Sequence, residues 1–298
     1  MSNLRSSSVL TRLKEDRPLV AVETRPPRAG LTAARSMDTW IDMHHAIRRL
    51  TARDTVIFMT DNAVGQEEEE NLGHLMANLA GEVSPSKLVP FLTSKHTLEY
   101  CLLYAARAAS NGFETLTVLG GDRIVGAPRC VEFAWQLRKI LRERIPSVTL
   151  GGWANPLKDP KTQVGFLLQA DFNADFYLTQ IVSHHGIKDV ERFLKEARRR
   201  GVPHPGVFGV FHYYSANPDT LTRLARFFPV PAEGVTRDFA AGLRPEEITA
   251  TTIRTLREAG VDKVYVSNLG FKNPEERYQR IVEAVEGGKE QRGRRSSA

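Results

Sequence analysis

Apolar positions along the chain follow two alternating rhythms. Short continuous apolar runs rich in Val alternate with longer stretches whose apolar residues recur at helical spacing. Leu19-Val20-Ala21-Val22 opens the series, with the pattern of a strand buried on both faces of a parallel sheet. Glu23 stands where that strand ends, and Pro26-Pro27 forbid its continuation. Further strands are predicted at 55–60, 88–93, 116–119, 148–152, 176–180, 206–211 and 263–267. Helices are predicted at 36–50, 97–110, 130–144, 161–172, 190–200, 219–227, 245–259 and 274–285, with one more opening at the acidic run Glu67–Glu70. Acids there suit the positive end of a helix dipole, so the run reads as a capped, solvated helix start.

About eight strand–helix units of roughly 30 residues each form the repeat of a closed barrel. A doubly wound sheet would carry a Gly-rich phosphate turn after the first strand, whereas Thr24-Arg25-Pro26-Pro27 follows it and Gly-x-Gly-x-x-Gly occurs nowhere. The pattern therefore gives an α/β fold, a single-domain (β/α)8 TIM barrel over 18–286. A flexible segment is expected at 1–17 and a disordered basic tail at 287–298.

A hydrophobic content of 41% over 298 residues supports a sizeable core and excludes wholesale disorder. The formal charge of +6 changes the picture less than it promises. Lys289, Arg292, Arg294 and Arg295 against Glu290 give one end +3, and Arg5, Arg12, Lys14 and Arg17 against Glu15 and Asp16 give the other +2. The body is left near neutral, with no basic patch interleaved with aromatics, so nucleic-acid binding is not expected. Cys101 and Cys130 have no metal-ligand spacing and read as small buried residues of a reduced protein. No apolar stretch has the length of a signal-peptide core or a membrane span, so a soluble cytoplasmic protein is expected, with no membrane partner.

In a barrel the strand ends converge on one mouth. Here they supply Glu23, Thr60, Thr93, Asp122, Asn155, Gln180, His212 and Asn268. Acids just beyond apolar strands are costly unless used, which singles out Glu23 and Asp122, and a desolvated Glu23 suits proton donation. Thr93 and Asn268 read instead as satisfied strand termini. The pairs His44-His45 and His184-His185 read as surface histidines, because neighbouring side chains on a helix diverge. The run Phe211-His212-Tyr213-Tyr214 offers rings for stacking or for rim packing. No Ser/His/Asp order, metal-binding motif or P-loop occurs.

The residues from Val22 to Arg28, Val-Glu-Thr-Arg-Pro-Pro-Arg, resemble the first-strand "FEFFPPR" motif of the methylenetetrahydrofolate reductases. Thr117-Val118-Leu119-Gly120-Gly121-Asp122 is similar to that family's "ALRGD", and Ala174–Gln180 to its "GADFLITQ". Ala259-Gly260-Val261-Asp262 begins a passage similar to the family's last strand, and the resemblance runs over roughly 19–285. It implies a (β/α)8 barrel that reduces 5,10-methylenetetrahydrofolate to 5-methyltetrahydrofolate, a reaction of one-carbon metabolism and methionine biosynthesis. It also implies Glu23 as the acid that protonates N10, and Asp122 and Gln180 as substrate-binding residues; Thr60, a strand end at the same mouth, is expected to bind substrate beside them.

Departures from the family are as informative. The usual enzyme relays hydride through FAD, held by a His in "PHLTC", the Arg of "LRGD", and an Asp and a Lys near the fifth helix. The corresponding positions are Phe91, Gly120, Thr162 and Gln169, and the family's "YPEVH" loop has become Trp153-Ala154-Asn155-Pro156-Leu157. Loss of several partners of a pyrophosphate, each worth about 1.5–3 kcal/mol, removes most flavin affinity. The resemblance is thus to the flavin-independent branch, with NADH or NADPH as direct hydride donor, FAD absent, and no residue assigned to the nicotinamide. Two alternatives stay open: an FAD enzyme with altered contacts, and a non-catalytic folate-binding barrel. An oligomer is compatible with either.

Overall fold

Eight parallel strands pair in sequence order and close on themselves: β1 (Leu19–Thr24), β2 (Ile57–Met59), β3 (Leu88–Thr93), β4 (Thr115–Leu119), β5 (Thr149–Ala154), β6 (Phe176–Val182), β7 (Gly206–Phe211) and β8 (Lys263–Ser267). The computed structural model describes residues 7–61, 68–79, 81–121 and 126–295, with side chains as far as 287. The (β/α)8 barrel expected from the pattern is the fold of the chain.

Helices cover the outside: α1 (Ser8–Lys14), α2 (Ala33–Thr51), α3 (Asn71–Leu79), α4 (Leu98–Ser110), α5 (Ala134–Arg144), α6 (Pro160–Leu167), α7 (Ile187–Arg200), α8 (Pro218–Leu224), α9 (Ala232–Ala240), α10 (Pro245–Glu258) and α11 (Pro274–Arg295). No helix among the described residues is long and apolar enough to cross a membrane.

The period of two along each strand sorts its residues. Val20, Val22, Ile57, Met59, Leu92, Val118, Phe208, Val210, Val264 and Val266 pack outward with the helices in one core cluster. Leu19, Ala21, Phe58, Val89, Phe91, Phe176, Leu178, Val207 and Tyr265 fill the barrel interior in another. Large interior rings are matched by missing side chains opposite. A Cβ on Gly151 would lie 2.5 Å from the Phe176 ring, and one on Gly209 would lie 2.5 Å from the Tyr265 hydroxyl. Small residues facing large ones let the layers close at interior density.

Two boundaries differ from the sequence reading. Part of the segment expected to be flexible is α1, whose Val9, Leu10 and Leu13 are buried in the interior cluster as the floor of the barrel. Ser7 caps it, its hydroxyl accepting from Leu10 N at 3.1 Å. The chain then enters β1 after Lys263 Nζ ties down the Glu15 carbonyl at 2.8 Å and the Arg17 carbonyl. At the other end α11 runs helical to Arg295, past residue 286, where a tail was expected to begin.

Candidate active site at the barrel mouth

Glu23 shares the parity of Leu19 and Ala21, so its carboxylate turns to the barrel axis one layer above the apolar plug. Ser267, on the neighbouring strand β8, donates its hydroxyl to Glu23 Oε1 at 2.6 Å. Burial pushes the Glu23 carboxyl above the usual carboxylate range and Glu68 adds to that, while the Ser267 hydrogen bond and Arg25 pull it down. The net is a carboxyl that holds its proton longer than one in water, as a proton donor needs.

Glu68 is the residue the sequence reading missed. Its side chain is only 1% exposed, and Arg25 grips Oε1 through Nε at 3.0 Å and Nη2 at 2.9 Å. Thr60 donates to the other oxygen at 3.0 Å. Burial raises the Glu68 carboxyl against the lowering pull of Arg25 and Thr60. The acidic run is thus a helix start only at its end, where Glu70 accepts from Gly73 N at 2.7 Å, while Glu68 and Glu69 are spent on other partners. Arg28 and Glu68 form an antiparallel bridge, Glu69 accepts from Trp40 Nε1 at 2.7 Å, and α3 begins only at Asn71. Glu67 lies outside the described residues. Arg25, Arg28, Leu31, Glu68 and Phe271 line an open cleft of about 300 Å³ beside the β1 exit.

The remaining expected positions divide. Thr60 is buried and its hydroxyl hydrogen is committed to Glu68, so it positions that carboxylate. Gln180 sits on a bulge, where the β6–β7 register shifts between Leu178 and Ile181. Its Oε1 accepts from Ile181 N at 2.9 Å, which fixes the amide over the strand end. The bulge has its own partners: Tyr265 donates to the Thr179 carbonyl at 2.6 Å, and the Thr179 hydroxyl accepts from Gly209 N at 3.1 Å. Asp122 lies outside the described residues.

Thr93 and Asn268 are satisfied termini, as expected: Thr93 donates to Asp61 Oδ2 at 3.0 Å, and Asn268 Nδ2 donates to the His212 carbonyl at 2.9 Å. Asp61 also meets His96 Nε2 at 2.8 Å, which builds a carboxylate–imidazole pair between the ends of β2 and β3. Asn155 closes a local turn with Leu157 N at 3.1 Å. His212 turns away from the axis to Thr249 on α10, at 2.9 Å, and burial lowers it to about 4. Of the aromatic run, Tyr213 is buried packing, while Tyr214 donates to the Leu269 carbonyl at 2.8 Å.

A second residue missed in the sequence is Trp153. It shares the inward parity of Gly151 on β5 yet is 37% exposed, so its indole faces the open mouth. An aromatic face with one side in solvent is a platform for a planar ring.

Of the positions matching flavin contacts, Phe91 and Thr162 are engaged locally. Phe91 packs 6.2 Å from Phe58 inside the barrel, and Thr162 spends its amide and hydroxyl on Asp159 at 2.8 and 2.7 Å. Gln169 is exposed. Gly120 lies under the guanidinium of Arg129, which a Cβ there would meet at 2.8 Å.

His184 and His185, expected to diverge on a helix, lie instead in a short 3-10 turn after β6 with ring centroids 3.9 Å apart. Both reach Asp238 of α9, at 3.2 and 2.8 Å.

No protein-family profile matches the chain, and no curated protein matches it. Solved structures do. An uncharacterized protein from Clostridium thermocellum that binds two copies of 5-methyl-5,6,7,8-tetrahydrofolic acid superposes with a TM-score of 0.65 at 14% identity, covering 93% of this chain and 98% of its own. A protein from Aquifex aeolicus VF5 superposes with a TM-score of 0.54 at 11% identity, covering 97% and 99%. At these identities the likeness is one of fold, and it runs over nearly the full length of both neighbours.

Proposed function

We propose that the protein reduces 5,10-methylenetetrahydrofolate to 5-methyltetrahydrofolate with hydride taken directly from NADH or NADPH. The observation that carries the reading is Glu23: a part-buried carboxyl with raised proton affinity, at the catalytic end of a barrel, oriented by Ser267 at 2.6 Å. A neighbour in fold that binds 5-methyl-5,6,7,8-tetrahydrofolic acid, the product of this reaction, supports the substrate class.

In this reading Glu23 delivers its proton to N10, which opens the imidazolidine ring and leaves an N5 iminium. The nicotinamide C4 hydride then adds to the exocyclic carbon, giving the methyl group and an oxidised nicotinamide. Asp122 stabilises the cation through its charge, and that help grows as the charge develops. The bulge holds Gln180 for the pterin edge, and Trp153 covers one face of the bound ring. Glu68, fixed by Arg25 and Thr60, shapes the wall beside Glu23 and adds negative potential to it.

Flavin independence draws support from the local engagement of Phe91 and Thr162. One observation favours the FAD-dependent reading: Arg129 brings a guanidinium to Gly120, the position matching the family's flavin-binding Arg. The deciding experiment is steady-state NADH and NADPH oxidation with methylenetetrahydrofolate, on protein whose denatured supernatant is free of flavin. Turnover without flavin supports direct transfer. Turnover only after added FAD moves the protein to the second reading, and folate binding without turnover in either state makes it a binder.

A further inference from the structure

We propose that His184, His185 and Asp238 form a binding site for one divalent transition-metal ion of the zinc class, clamping α9 to the turn after β6. The site is independent of the folate reading. One ligand atom from each residue lies within 4.8 Å of the others, and all three side chains are partly buried.

The three ligand atoms converge. His184 Nε2 lies 3.2 Å from Asp238 Oδ2, and His185 Nε2 lies 2.8 Å from the same oxygen. His184 Nδ1 has a partner of its own in Thr252 Oγ1 at 2.8 Å, so with its proton on Nδ1 the ring offers Nε2 as a ligand. Metal–ligand bonds of about 2.0–2.1 Å at tetrahedral angles put ligand atoms roughly 3.3 Å apart, so His184 and Asp238 already stand at the right spacing.

The surroundings are built for it. Thr252 holds the Nδ1 side of His184 and so aims its Nε2, as outer partners of metal-bound imidazoles do. Gly234 leaves the space His185 occupies, since a Cβ there would lie 2.5 Å from its ring. Two imidazoles and a carboxylate select nitrogen–oxygen metals such as Zn²⁺ and Co²⁺ over Mg²⁺ or Ca²⁺. Three protein ligands leave a position for water or a further ligand.

The test uses tag-free full-length protein stripped with chelator and titrated with Co²⁺, then with Zn²⁺. A visible cobalt band saturating at one equivalent, displaced by Zn²⁺ and accompanied by a raised Tm, is expected. Thr252→Val, which leaves all three ligands in place, should weaken binding about 10–100-fold, and Asp238→Asn should abolish the band. Absence of a saturable band and of a Tm shift in the wild-type protein overturns the proposal whatever the variants do. An unchanged cobalt spectrum and affinity in a folded Asp238→Asn protein overturns it equally.

Discussion

The Ser267 hydroxyl lies 2.6 Å from Glu23 Oε1 and donates to it, across the seam where β8 closes the barrel against β1. This bond favours the ionised carboxylate, in opposition to burial. Ser267→Ala therefore lets the Glu23 proton affinity rise further. The fall of folate-reducing activity with rising pH should move to higher pH in the variant, read from kcat/KM profiles. A limb that stays in place would remove Ser267 from control of the acid.

Glu23→Gln keeps the shape and cannot deliver a proton. Turnover should fall about 10²–10⁴-fold while folate still binds, measured by steady-state kinetics beside equilibrium titration. Near wild-type turnover would take Glu23 out of the mechanism.

The same substitution has a stability signature. A carboxyl whose proton affinity is raised on folding contributes stability that is fully present below its unfolded pKa, about 4.3, and is lost as pH rises through the folded value. The difference in unfolding free energy between wild type and Glu23→Gln should therefore drift in favour of the variant as pH rises from 4. A difference constant with pH would mean that the carboxyl titrates alike in both states.

Tyr265→Phe removes the hydrogen that Tyr265 gives to the Thr179 carbonyl inside the barrel. An orphaned buried carbonyl costs about 1–3 kcal/mol, readable in urea unfolding. If the bulge positions Gln180, the KM for folate rises as well. A loss of stability with unaltered KM would separate the bulge from substrate binding.

Trp153→Ala should leave stability nearly unchanged, since the indole is 37% exposed, and weaken folate binding up to about tenfold. Unaltered affinity would show that the indole does not stack on the ligand.

How much of this was legible in the sequence varies by residue. The bounds of β3, β7 and β8 fall at 88–93, 206–211 and 263–267, as their apolar runs predict, because both faces of those strands are buried. The place of Glu23 at the barrel mouth could be read because it directly follows an apolar strand run. Glu68 could not: its partner Arg25 is 43 residues away, and a run of glutamates says nothing about which one turns inward. His184 and His185 were misjudged because a helix was assumed where a 3-10 turn forms. Helices α1 and α9 were invisible for lack of period, with Val9, Leu10 and Leu13 in a Ser- and Arg-rich end and few buried apolar residues between Ala232 and Ala240.

The bond from Lys263 to the Glu15 carbonyl spans 248 positions. During synthesis α1 leaves the ribosome well before the strand that anchors it. The barrel floor therefore stays open until β8 has emerged, with Val9, Leu10 and Leu13 awaiting their cover. Closure of the sheet and seating of the first helix become one late event, and a ribosome stalled before β8 would hold a chain with an unsealed base.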